Sequence, residues 1–163
     1  MKKKHHTAAS NITSTQYPSL FRRLGAWLYD TLIVAALLML AGGIAMAVVA
    51  LLLHLNILDM GTYPDVSSYL GTHPTAGALY TSYLAIVIIG FYGYFWVRGG
   101  QTLGMKAWKL KLQNKDGSNI RVAQACIRMG TSAFGLGNLL APFSKEKQSF
   151  QDLMAECEMI VTH

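Results

Sequence analysis

Basic residues are missing from the middle of this chain: residues 24–97 contain no Lys or Arg. The acidic residues in that stretch are Asp30, Asp59 and Asp65. Charged residues make up 13% of the 163-residue chain, against about 25% in an ordinary soluble domain. A deficit this localised excludes an evenly solvated surface there and points to a lipid environment. Cysteine is equally scarce. Cys126 and Cys157 form neither a C-x-x-C pair nor a metal-ligand spacing. Both stand in the basic half, where a cytoplasmic location disfavours a disulfide, so they read as two small apolar residues. There is no Ser–His–Asp set, no H-E-x-x-H and no phosphate loop. His54 and His73 with Asp59 or Asp65 could in principle meet around a metal, but a solvated loop accounts for them better, and His5-His6 is only a weak pair in the N-terminal tail. The expectation is therefore no enzymatic activity and no cofactor.

What the chain does have is two apolar runs. The first spans residues 24–53, and its part from Thr31 onward contains no charge and no Pro. The second spans residues 79–97 and ends in Phe91, Tyr92, Tyr94, Phe95 and Trp96, just before Arg98. Crossing a hydrocarbon layer takes roughly 20 residues of helix, so both runs predict transmembrane helices. The aromatic cluster suits a membrane–water boundary. Between them, Gly61, Pro64, Gly71 and Pro74 predict a loop. That loop carries no basic residue, as the outer face should.

The net charge of +6 needs no nucleic acid. Lys2, Lys3, Lys4, Arg22 and Arg23 precede the first run, and Arg98, Lys106, Lys109, Lys111, Lys115 and Arg121 follow the second. Basic residues flanking membrane helices mark the cytoplasmic side and can contact anionic headgroups. Two crossings with an outer loop place both termini in the cytoplasm. Residues 1–17 predict a disordered basic tail, and residues 18–163 a single membrane domain.

Beyond Arg98 the pattern changes. Residues 102–108 predict a short interfacial helix offering Leu103, Met105 and Trp108 to the lipid boundary. Residues 108–113 alternate with strand period, and Asp116-Gly117 is a turn signal. A β-hairpin returning through residues 119–122 is expected, with residues 158–162 as a candidate third strand. Residues 122–143 are apolar enough to tempt a third crossing, but Arg128 and the breaks at Gly130, Gly135, Gly137 and Pro142 oppose one. Two arms that dip into the membrane and return, broken near Gly135 to Gly137, fit better. The expected fold class is thus a membrane all-α protein. Two transmembrane helices form a hairpin, a re-entrant or third apolar helical segment joins them, and a small cytoplasmic β-hairpin or three-stranded element completes it.

The charges at the mouth of the first helix call for partners. Arg23 and Asp30 are seven residues apart, on one helical face about 10 Å along the axis. Arg23 can snorkel to the interface. Asp30 is flanked by Trp27, Leu28 and Tyr29 and then by the apolar run. It should therefore face protein or water and meet a cation, with Arg128, Arg23 and Arg22 as candidates. Asp152 alone would pass for a solvated or helix-capping carboxylate.

Three motifs in order carry a resemblance. They are Phe21-Arg22-Arg23-Leu24-Gly25-Ala26-Trp27-Leu28-Tyr29-Asp30, Gly100-Gln101-Thr102-Leu103-Gly104-Met105-Lys106, and Lys147-Gln148-Ser149-Phe150-Gln151-Asp152. Over roughly residues 18–161 the chain resembles the RDD family of bacterial membrane proteins, named for one arginine and two aspartates. By match these are Arg23, Asp30 and Asp152, with Arg128 at a further recurrent basic position. Gly135-Leu136-Gly137 resembles the break in the family's last apolar segment. The chain departs from the pattern at Gln151, where the family usually has His, and at Ala155-Glu156-Cys157, so a proton-transfer role for that His is absent. The resemblance implies a domain of poorly defined biochemical role, some relatives having been proposed to take part in cation–proton exchange.

The expected function is a small integral protein of the bacterial inner membrane, an accessory or structural subunit of a membrane complex organised by the Arg/Asp cluster. Breaking a buried pair costs about 3–5 kcal/mol, so such a cluster would govern assembly. The alternative is an oligomeric cation–proton exchanger with Asp30 as the titrating carboxylate. The expected partners are an anionic bilayer surface and a second copy or a larger membrane complex, without nucleic acid.

Overall fold

The computed structural model describes residues 16–132 and 148–162. Helix α1 (Leu20–His54, 35 residues) and helix α3 (Pro74–Gly99, 26 residues) pack side by side. Both are long and apolar enough to cross a membrane. In the most apolar 18-residue stretch, 11% of α1 and none of α3 is buried. A core helix of a soluble protein would hide such a stretch, since apolar side chains exposed to water are unfavourable by about 25 cal/mol per Å².

Both helices outrun the apolar runs. The extension of α3 back to Pro74 follows from local chemistry. A Pro at the first position lacks only an N–H that the helix leaves unbonded anyway, and the His73 imidazole accepts the Ala76 N–H at 3.2 Å. The connection is also more ordered than the predicted loop. It contains helix α2 (Val66–Thr72), started by Asp65, whose carboxylate accepts the Ser68 N–H at 2.8 Å. Tyr69 is buried, its ring 5.5 Å from Tyr63 and 4.8 Å from His73. Asp65 and His73 are thus engaged as helix caps. Among the described residues no group of three or more His, Cys, Asp or Glu gathers to hold a metal.

Gly100 ends α3 in the left-handed region at φ 64°, a conformation that glycine adopts without a Cβ penalty. A Cβ there would also lie 2.3 Å from the Leu112 carbonyl oxygen. The chain then builds a compact base: helix α4 (Leu103–Ala107), strand β1 (Leu110–Asn114), helix α5 (Val122–Thr131), helix α6 (Phe150–Met154) and strand β2 (Cys157–Val161). Strands β1 and β2 pair antiparallel, from Leu110 opposite Val161 to Asn114 opposite Cys157.

The expected three-stranded element is therefore a two-stranded one. The turn after β1 does form, with the Gly117 N–H bonded to the Asn114 carbonyl and the Asn114 N–H to that of Ser118. Residues 119–122 are not a strand among the described residues. Ile120 instead inserts into the core, and α5 begins two residues later. On the far side of β1, the Leu112 N–H is taken by the Gly100 carbonyl at 2.7 Å. Leu110 and Leu112 point into a core that includes Ala26, Trp96, Met105, Ala125 and Met159. Met105 thus turns away from the lipid boundary, because α4 lies against α1. Of the apolar stretch at 122–143, the first arm is α5. The break near Gly135 to Gly137 lies outside the described residues, as do residues 1–15 of the basic tail.

Candidate functional site

Helix α1 changes character along its length. In its first eleven residues Arg23, Ala26 and Asp30 are buried, an i, i+3, i+7 set that forms one stripe turned toward the base. Arg23 does not snorkel. It is 2% exposed, and its Nη1 donates to Asp152 Oδ2 at 2.7 Å. Asp152 lies in α6 with no exposed surface. Its other oxygen, Oδ1, accepts from Arg128 Nη1 of α5. The Ser149 N–H adds a third bond, to Oδ2 at 3.1 Å. One carboxylate therefore ties together α1, α5 and α6.

The electrostatics of this triad have one direction. Burial alone would raise the Asp152 pKa, but Arg128 and Arg23 outweigh it and hold the carboxyl well below the usual range. Burial works against the Arg128 charge, and the adjacent Asp152 carboxylate more than restores it, leaving its pKa raised. Cys157 Sγ lies 3.6 Å from Arg128 Nη1. Burial nevertheless raises its thiol pKa, so it stays an unreactive thiol at neutral pH. Arg128 also stacks on Trp96 of α3, its guanidinium carbon 5.2 Å from the ring centroid. That contact adds the second long helix to the group.

Asp30 is placed differently. Its expected partner was an arginine, but its carboxylate accepts the Thr102 hydroxyl and, at 2.8 Å, the Gly104 N–H. Thr102 is the N-cap of α4, and its oxygen in turn accepts the Met105 N–H at 3.2 Å. The start of a helix leaves N–H groups without internal partners. Asp30 supplies an acceptor from another helix and so locks α4 onto α1. The close fit requires Gly104: a Cβ there would sit 2.3 Å from the Ala26 carbonyl oxygen and 2.8 Å from Asp30 Oδ1.

The four charged residues singled out in the sequence are all buried at the base end of α1. They divide into a triad of Arg23, Asp152 and Arg128 and a separate Asp30 cap. Sequence reasoning missed Thr102 and Gly104 as partners, although the second motif contained both. A Thr followed two residues later by Gly at a helix start was the available signal. It also missed Trp96, which read as an interfacial aromatic. Gln151, at the position where the family pattern has His, is 4% exposed.

Between α1, α3 and α5 lies a cavity of about 550 Å³. Arg23, Asp30, Arg128 and Gln151 line its base end, and Val34, Ile88 and Ile89 its apolar end.

Residues 17–156 match the model of the RDD family. No curated protein matches the chain, and no solved structure does.

Proposed function

The chain belongs to the RDD family; starting from that membership and the two candidate membrane-spanning helices, we propose that it is an accessory or structural subunit of a membrane complex and not an enzyme. In this reading it resides in a bacterial inner membrane with both termini and the base in the cytoplasm. The observation that carries the proposal is the Asp152 clamp, which joins α1, α5 and α6 through two buried arginines. The exchange of a buried triad for apolar residues is often neutral or stabilising, so its benefit is one defined arrangement of the base beneath the two helices. A defined base on a membrane hairpin suits a subunit that presents a fixed surface. The basic residues of the base, among them Lys106, Lys109, Lys111 and Arg121, favour the cytoplasmic side, and residues 55–97 contain none. Extraction in mild detergent followed by affinity purification and mass spectrometry tests the reading. A stoichiometric membrane partner supports it, and a lone homo-oligomer overturns it.

A second reading, cation–proton exchange, is favoured by one observation: Asp30 faces a cavity that continues between the two long helices. Both of its oxygens hold the start of α4, which favours a structural role instead. Proteoliposomes under a sodium or potassium gradient separate the two. Proton flux that disappears in a folded Asp30→Asn protein would establish exchange, and no flux in any gradient removes it.

A further inference from the structure

We propose that the cavity at the base of α1 and α3 is a binding site for a phosphate-bearing membrane amphiphile, whose headgroup oxyanion is held by Arg128 and Trp96. The proposal rests on the membrane placement of the long helices and is independent of the accessory role.

Two donors carry it. Arg128 Nε and Trp96 Nε1 are buried and have no hydrogen-bond partner among the described residues. Both side chains line the same cavity and stack on each other at 5.2 Å. Buried donors in folded proteins are nearly always satisfied, and leaving one without an acceptor is costly. Two in one cavity call for a bound acceptor. A phosphate suits them, since it accepts several bonds and guanidinium groups recognise it well. Arg23 and Arg128 are balanced in charge by Asp152 and Asp30, so the two unsatisfied donors, and not a surplus of charge, call for the acceptor. The Asp30 oxygens are engaged by Thr102 and Gly104.

The shape of the cavity points to an amphiphile over a free ion. Its volume of about 550 Å³ falls within the range of small-molecule sites. Its wall passes from Arg128, Trp96 and Gln151 at the base to Val34, Ile88 and Ile89 along the helices. A headgroup at the base and an acyl chain along the apolar wall match that gradient. A free phosphate would leave the apolar part unfilled.

The test uses the full chain purified in detergent and stripped of lipid, with binding read by native mass spectrometry. The probes are phosphatidylglycerol, phosphatidylethanolamine, diacylglycerol with the same chains, and inorganic phosphate. The expected result is retention of at least one phospholipid about tenfold more strongly than diacylglycerol, the scale of a lost charged hydrogen bond, with no displacement by millimolar phosphate. Trp96→Phe, which keeps a ring and removes the donor, should weaken retention about tenfold. Ile88→Trp, which fills the apolar end without touching the charged residues, should abolish it. Elution profile and thermal midpoint report folding for both variants. Equal retention of diacylglycerol, displacement by inorganic phosphate, or unchanged retention in folded Ile88→Trp each overturns the proposal. Release of the chain from membranes by alkaline carbonate would overturn it too, together with the membrane placement and independently of any partner.

Discussion

The two ends of α1 meet different surroundings. From Leu20 to Asp30 one face is buried against α4, α6 and the core of the base, and it carries two of the charged residues. Beyond Thr31 the helix is apolar, and the described residues bury only Ala41 and Gly42 of it. Ordinary soluble proteins bury apolar side chains and expose charged ones. Here Leu40 is 64% exposed while Asp152 is not exposed at all. The inversion is consistent once the exposed helices face lipid, for which a leucine is a good match. The charged groups then need protein partners, because neither lipid nor water can serve them where they sit.

Four measurements would break or sharpen this contrast, each made by thermal or denaturant unfolding in detergent micelles. The largest effect is expected from Asp152→Asn. It leaves Arg23 and Arg128 buried without a counter-charge and should cost about 3–5 kcal/mol. A loss below 1 kcal/mol would mean that the base tolerates unpaired cations. Next is the pair Leu112→Ala and Leu40→Ala. The first truncates a fully buried side chain and should cost about 2–5 kcal/mol. The second, on the exposed part of α1, should stay within about 0.5 kcal/mol, and equal losses would abolish the distinction between the two regions. Asp30→Ala comes third, at about 1–3 kcal/mol for stranding the Thr102 hydroxyl and the Gly104 N–H. The smallest is a pH effect. The Asp152 pKa is depressed in the fold from an unfolded value of about 3.9. Its contribution is thus fully present above about pH 4 and is lost as pH falls toward the folded value. Wild-type stability should therefore fall more steeply below pH 4 than that of Asp152→Asn, and parallel curves would remove the assigned role.

The apolar helices were legible because 20 uncharged residues constrain the outcome almost alone. Arg23 and Asp30 were legible as one face because helical spacing is local. The partners were not. A carboxylate seven residues from an arginine suggests an ion pair, yet Asp30 reaches the backbone of α4, which only the packing of α4 against α1 decides. The turn at Asp116-Gly117 was also read correctly as a turn. The strand beside β1 was not, because β2, more than forty residues further on, competes for that edge, and Ile120 is drawn into the core instead. Position 151 was noted for what it lacked, whereas its burial depends on α6 and is invisible in the local sequence.

Arg23 and Asp152 are 129 residues apart in the chain, and this separation orders events during synthesis. Both long helices and Arg128 are made before their shared carboxylate exists. Until α6 emerges, neither arginine has its final counter-charge, and β1 has no strand to pair with. The base therefore closes late, after the apolar helices are available for insertion. A chain truncated before Asp152 would hold two stranded arginines and an open sheet edge, the kind of exposed defect that cellular proteases and chaperones act on.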